Sequence, residues 1–263
     1  MQWNTLHSYS KNSESDTLFI FSEPWIDVVC VAVLSIVLSV AAYRFGLLTK
    51  DGSLAAVATG FVIGLFGSAM WLILLIVFAA IGFVATLTGF SKKREKGLQE
   101  GTHGERTSKN VIGVALPCII FALINVITLN EHYNLMTVGY IATIAVAAAD
   151  TAASEIGTRD PNAYLITTMK KVAPGTNGGI SVTGTVVCIA ASVFVTLIGW
   201  TVIFGFNYNI LIVMPMIAGV IGCMLDSLFG ATFETKGQMS KYANNCSTGI
   251  IGGLIAVLLT LLI

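Results

Sequence analysis

Charge is scarce in this sequence: Asp, Glu, Lys and Arg make up 11% of its 263 residues, against 55% hydrophobic residues and a mean hydropathy of +0.83. Soluble domains carry about a quarter charged residues, so that class is excluded and the long apolar runs mark an integral membrane protein. Backbone in lipid must satisfy its own hydrogen bonds, and the runs are too long for alternating strands, so they are read as helices. Histidine is nearly absent: His7, His103 and His132 stand alone, which speaks against a zinc site. The five cysteines are scattered singly with no C-x-x-C pair and read as small buried hydrophobes. A secretory signal is also missing, because the first 24 residues are polar and carry Glu14, Asp16 and Glu23.

What is present is a succession of apolar segments. Residues 1–24 form a polar tail and 25–263 one transmembrane domain, an all-α polytopic helical bundle of about eight spans. The expected spans are 26–43, 53–67, 68–90, 111–129, 136–154, 180–204, 210–229 and 248–263. The second is short and rich in Gly and Ala, and either crosses or re-enters. Trp71 near the start of the third is expected at an interface. Every Lys and Arg except Lys11 falls on or beside the loops after spans one, three, five and seven. Those loops share one side, which the excess of basic residues makes cytoplasmic, with both termini outside. No nucleic acid partner is expected, and the oligomeric state is left open.

Ionisable groups at membrane depth are costly and mark function. Asp51 opens span two, Asp150 and Glu155 close span five, and Asp226 closes span seven, each followed by small residues (DGSLAA, DTAASE, DSLFGA). Asp150, Glu155 and Asp226 are the candidate catalytic and metal-binding residues, because oxygen-rich clusters suit Mg2+ bridged to phosphates. Asp150 and Glu155 stand about 140° apart on a helix. They share a ligand only if the helix end unwinds or if Ser154 contributes beside Asp150. The sequence PGTNGGIS, 174–181, then precedes span six. Its glycines permit close backbone approach, Thr176 and Asn177 offer polar groups, and a positive helix end follows, which together suit an anion. Gly175, Thr176, Asn177 and Gly178 are therefore candidate phosphate binders. Lys170 and Lys171 just upstream supply cations, or else touch anionic lipid. In the long basic loop, GERTSKNV ends at a helix start, and Arg106 and Lys109 are its best cations for phosphate oxygens, while residues 92–96 anchor span three. Spans seven and eight (DSLFGATFE, Lys241, NNCSTGIIGG) echo spans five and six (DTAASE, Lys-Lys, TNGGISVTG), as a parallel repeat enclosing one site would.

DGSLAAVATG, GERTSKNV, ADTAASEIG, KKVAPGTNGGIS and LDSLFGAT, in this order between apolar spans, resemble the integral membrane family that includes plant phytyl-phosphate kinase. The resemblance runs from about Gly46 to the C-terminus and leaves the N-terminal tail uncovered. It implies conversion of a prenyl monophosphate to its diphosphate, with CTP or another nucleoside triphosphate as donor. Matching positions are Asp150, Ser154, Glu155, Gly157, Pro174 to Gly178, Asp226, Ser227, Gly230 and Ala231, with Arg106 and Asn110 in the long loop. That loop departs from the usual form at Ile112-Gly113-Val114, where Ala-Asn-Gly is common. A prenyl tail is expected among the small-residue faces of spans two, five and seven. The alternative from another class is a transporter of an anion or lipid phosphate, which glycine-broken helices and a repeat would also suit.

Overall fold

The computed structural model describes residues 24–88, 94 and 104–263; the expected N-terminal tail and most of the long basic loop lie outside them. Eight long helices run through the described residues: α1 (Pro24–Arg44), α2 (Lys50–Phe66), α3 (Ala69–Leu87), α4 (Ser108–Ile127), α5 (Tyr133–Gly157), α6 (Val182–Phe204), α7 (Val213–Phe229) and α8 (Lys241–Leu261). Seven are long and apolar enough to cross a membrane. The chain is thus a multi-pass, all-helical membrane protein.

Helix α2 is the exception, with 17 residues, or about 26 Å against a hydrocarbon core of about 30 Å. It is unbroken. Its first turn meets the start of α4, where Ser108 N–H donates to Asp51 Oδ2 at 2.9 Å, and its last turn meets the end of α4, where Asn125 Nδ2 donates to the Phe66 carbonyl at 3.3 Å. Tied at both ends to α4, α2 runs the full length of that helix and does not re-enter. The helices therefore alternate in direction, and the C-terminal ends of α3, α5 and α7 meet the N-terminal ends of α4, α6 and α8.

The 158–181 connection, expected as a polar loop, contains a small antiparallel sheet of β1 (Ala163–Leu165), β2 (Lys171–Val172) and β3 (Gly179–Ile180), in the order β2-β1-β3. Strands this short leave no period-two signature in the sequence. Asp160 fastens this connection to α6: its carboxylate accepts from Asn162 N–H at 3.0 Å, Thr183 Oγ1 at 2.9 Å and Thr183 N–H at 3.3 Å. Those bonds hold the Asp160 carboxyl below the ordinary carboxylate range.

Helix α5 is the axis of the bundle and packs against α3, α4, α6, α7 and α8. Tyr140, Ile141, Ala142, Ile144, Ala145, Ala148 and Ala149 on it are wholly buried. Trp71 packs there too, contrary to an interfacial role: it is fully buried, stacks on Tyr140 with ring centroids 4.2 Å apart, and donates from Nε1 to Thr137 Oγ1 at 3.2 Å. Lipid tails are as apolar as leucine, so association here depends on backbone proximity and van der Waals contact. Gly222 of α7 and Gly252 of α8 both face Val146 of α5, and a methyl group on either would overlap that side chain.

Gly222→Ala and Gly252→Ala should each lower stability in detergent by about 1–3 kcal/mol through overpacking. The loss should shrink in a Val146→Ala background; an unchanged loss in thermal denaturation would show that Val146 is not the obstacle. A carboxylate of depressed pKa contributes stability above its ordinary pKa and loses it as pH falls through the folded value. The melting temperature of Asp160→Asn should therefore fall below that of the wild type at pH 7, and the gap should close as the solution is acidified below about pH 4.

Candidate functional site

The ends of α3, α5 and α7 and the starts of α6 and α8 enclose a cavity of about 250 Å³, covered by the 174–180 turn. Asp150 and Asp226 face one another there, their carboxyls within hydrogen-bond reach. Each arrives on the last turns of a helix whose neighbours leave room only for small residues. Asp226 Oδ2 accepts from Thr248 Oγ1 of α8 at 3.2 Å, and its carbonyl accepts from Asn244 Nδ2 at 3.0 Å.

Glu155 behaves differently. It is buried, and its Oε1 accepts from Thr86 Oγ1 at 2.9 Å and pairs with Arg106 Nη2 at 3.3 Å. Arg106 also donates to Thr86 Oγ1 at 2.8 Å, and its backbone joins the α1–α2 connection through Leu47 and Thr49. The expectation that Glu155 forms a three-carboxylate metal cluster with the two aspartates is therefore corrected. Among the described residues no three of His, Cys, Asp and Glu could hold a metal ion. Helix geometry is the reason: Asp150 and Glu155, about 140° apart on an intact helix, point toward different neighbours, α7 and α3.

The glycine-rich turn lies directly against the end of α7. Gly175 and Gly178 adopt φ of +86° and +74°, and a side chain at Gly178 would collide with Ser227 and Ala231. Thr176 Oγ1 donates to the Ala173 carbonyl at 2.7 Å, and Asn177 Nδ2 donates to Glu234 Oε2 at 3.2 Å. Beyond Phe229, α7 continues as a π-helical turn, Gly230–Glu234, which carries Glu234 into the cavity wall. Glu234 Oε1 accepts from Asn244 Nδ2 at 2.7 Å. Helices α6 and α8 present capped N-terminal ends to the same space, Ser181 Oγ accepting from Gly184 N–H and Ser240 Oγ from Ala243 N–H, so positive helix ends point at it.

Of the residues expected from sequence, Arg106, Asp150, Ser154, Glu155, Gly175, Thr176, Asn177, Gly178, Asp226 and Ser227 line this cavity. Asn110, Lys170 and Lys171 do not. Asn110 Oδ1 accepts from Thr107 N–H and Oγ1, closing a capping box at the start of α4. Lys171 lies on the exposed strand β2 and donates from Nζ to Asn162 Oδ1 at 2.9 Å, beside exposed Lys170. Sequence reasoning missed Glu234, Lys241, Asn245 and Thr86 as site residues. The first three lie within the echo of the two hairpins, which was the signal available for them, whereas Thr86 carried none.

Four carboxylates (Asp150, Glu155, Asp226, Glu234) and two cations (Arg106, Lys241) line the space. A surplus of negative charge repels phosphate unless a cation intervenes. Two carboxylates in contact likewise need a proton or a cation between them. Asn245 Oδ1, in the same wall, is buried without a hydrogen-bond partner. An orphaned oxygen beside two acids is a donor set of the kind Mg2+ takes when phosphates complete its shell.

The family of integral membrane proteins designated DUF92 matches residues 33–256. The chain belongs to this family. It is 32% identical over 248 residues to an uncharacterised membrane protein of Methanocaldococcus jannaschii, covering 94% of this chain and 98% of that protein. An uncharacterised membrane protein of Synechocystis is 30% identical over 239 residues, covering 89% of this chain and 90% of its own length. The chloroplastic protein VTE6 of Arabidopsis thaliana is 28% identical over 225 residues, covering 81% and 66% respectively. No solved structure matches.

Arg106→Ala strands the buried Glu155 carboxylate and should cost about 3 kcal/mol of stability. The double variant Arg106→Ala/Glu155→Gln should recover much of that loss; strictly additive losses in a double-mutant cycle would show that the two side chains are not coupled.

Proposed function

We propose that this protein phosphorylates a prenyl monophosphate to the diphosphate, using CTP or another nucleoside triphosphate, at the cytoplasmic face of the membrane. The observation that carries this reading is the paired carboxyls of Asp150 and Asp226 set against the glycine-rich turn, two helix N-terminal ends and Arg106 in one cavity. Phosphoryl transfer requires chiefly positioning and neutralisation of charge, and these groups provide both. An oxygen of the prenyl phosphate attacks the γ-phosphorus of the donor, a new P–O bond forms, and the bond to the β-bridging oxygen breaks to release the nucleoside diphosphate. The acceptor is already an anion, so no strong general base is needed.

Asp150 and Asp226, with Asn245 beside them, are the residues that would hold Mg2+, which supplies neutralisation of the phosphates as charge shifts toward the leaving group. The 175–178 turn offers backbone to phosphate oxygens, and Glu155 keeps Arg106 oriented toward the cavity. Lys241 adds the second cation. Arg44, Lys50, Arg106, Lys109, Arg159, Lys170, Lys171, Lys236 and Lys241 all belong to this end of the bundle, whereas the far connections 67–68, 128–132 and 205–212 contain no Lys or Arg. That bias supports a cytoplasmic site. A carrier needs a polar path across the bilayer, and the apolar, wholly buried middle of α5 favours the kinase reading.

Purified protein with CTP, Mg2+ and a labelled prenyl monophosphate should yield the diphosphate, and Asp150→Asn and Asp226→Asn should each reduce turnover by about 100-fold or more. Mg2+ should also raise the melting temperature of the wild type, by about 2.7 kcal/mol of stabilisation at a hundred times its dissociation constant. Unchanged turnover in both variants would overturn the metal assignment, and counterflow of labelled substrate in liposomes without diphosphate formation would overturn the kinase.

A further inference from the structure

A second space lies on the other side of the α4–α8 seam. It is a groove of about 410 Å³ walled by Lys109, Ile112 and Leu116 of α4 and by Tyr242, Ala243 and Cys246 of α8. Its floor is the place where α4 and α8 touch, Gly113 against the Tyr242 backbone. Deeper along the seam Pro117 packs on Gly249 and brings the groove to an end. From Lys109 to Leu116 it descends about 10 Å along α4. Lys109 is exposed at the end nearest the cavity, and below it Ile112 and Leu116 are 48% and 42% exposed.

The groove and the polar cavity share their walls. Lys241 and Asn245 of α8 line the cavity, and their neighbours Tyr242 and Cys246, about 100° around the helix, line the groove. On the other wall, Arg106 lines the cavity and Lys109, one turn later, lines the groove. The interior offers no comparable place: the small-residue faces of α5, α7 and α8 close on one another at Val146, Gly222 and Gly252. This corrects the expectation that a prenyl tail lies among those faces.

Resting on the prenyl phosphate reading, we infer that the α4–α8 groove receives the first isoprene units of the substrate, with the phosphate crossing over the N-terminal ends of these helices into the cavity. Lys109 sits where the anionic head and apolar chain meet, and the remainder of the chain runs on into lipid. Selectivity then falls on the isoprene units nearest the phosphate and weakens with distance along the tail.

The test uses a prenyl monophosphate bearing a diazirine on its second isoprene unit, photolysed with the full-length protein in phosphatidylcholine nanodiscs. Adducts should map by mass spectrometry to 109–116 and 242–247 and disappear with excess unlabelled prenyl monophosphate but not with inorganic phosphate. Adducts elsewhere, or adducts that excess substrate does not suppress, would overturn the groove assignment. Ala243→Trp fills the groove from an exposed wall and should raise KM for long-chain prenyl phosphates about tenfold, with a smaller change in kcat; an unchanged KM would count against it. Competed adducts in the groove without any diphosphate formation would sink the kinase reading and leave the binding site standing, whereas turnover with adducts elsewhere would do the reverse.

Discussion

Lipid gives helices little apolar gain for associating with one another, so this bundle depends on how closely its backbones approach α5. Glycines on α7 and α8 set that distance around Val146, and the same approach brings Asp226 against Asp150 one turn further on. The spacing of the core and the spacing of the carboxyl pair are one geometric fact. A shift of α7 that relieved crowding at Gly222 would also part the two acids, which is why close packing in the middle of the protein bears on chemistry at its end.

Charge at that end is arranged in two tiers. Glu155 and Arg106 neutralise each other against Thr86 and tie α3, α4 and α5 together, so neither is left as a lone charge at membrane depth. Asp150 and Asp226 have no such exclusive cation, with Arg106 and Lys241 acting on them from across the cavity. The first pair fixes the scaffold, and the second is the part free to change partners when ligand arrives. Glu234 works as a brace, holding the glycine-rich turn through Asn177 and α8 through Asn244.

The helices were legible in the sequence because apolar runs and basic loops carry their own signal, and even the short α2 was anticipated as a segment. Its manner of crossing was not legible, since only contacts at Asp51 and Phe66 reveal that it spans the length of α4. The start of α8 was placed too late, because Asn244 and Asn245 read as loop residues although they face the site from within a helix. Asp150, Asp226 and the 174–180 turn announced themselves as polar groups in apolar surroundings. The role of Glu155 could not be read, because residue type does not say which neighbour a helix face meets. Lys170 and Lys171 misled for the opposite reason: nearness in sequence to the turn became distance in space once a strand carried them to the surface.

The π-helical turn at Gly230–Glu234 has an evolutionary corollary. Such a turn holds one residue more than an α-helical turn over the same rise. Losing one residue from it would give the backbone an ordinary helix at little cost while swinging everything downstream by about 100°. Lineages that retain both Asn177 and Asn244 as partners of Glu234 should therefore keep the length of this segment fixed, even where its side chains drift.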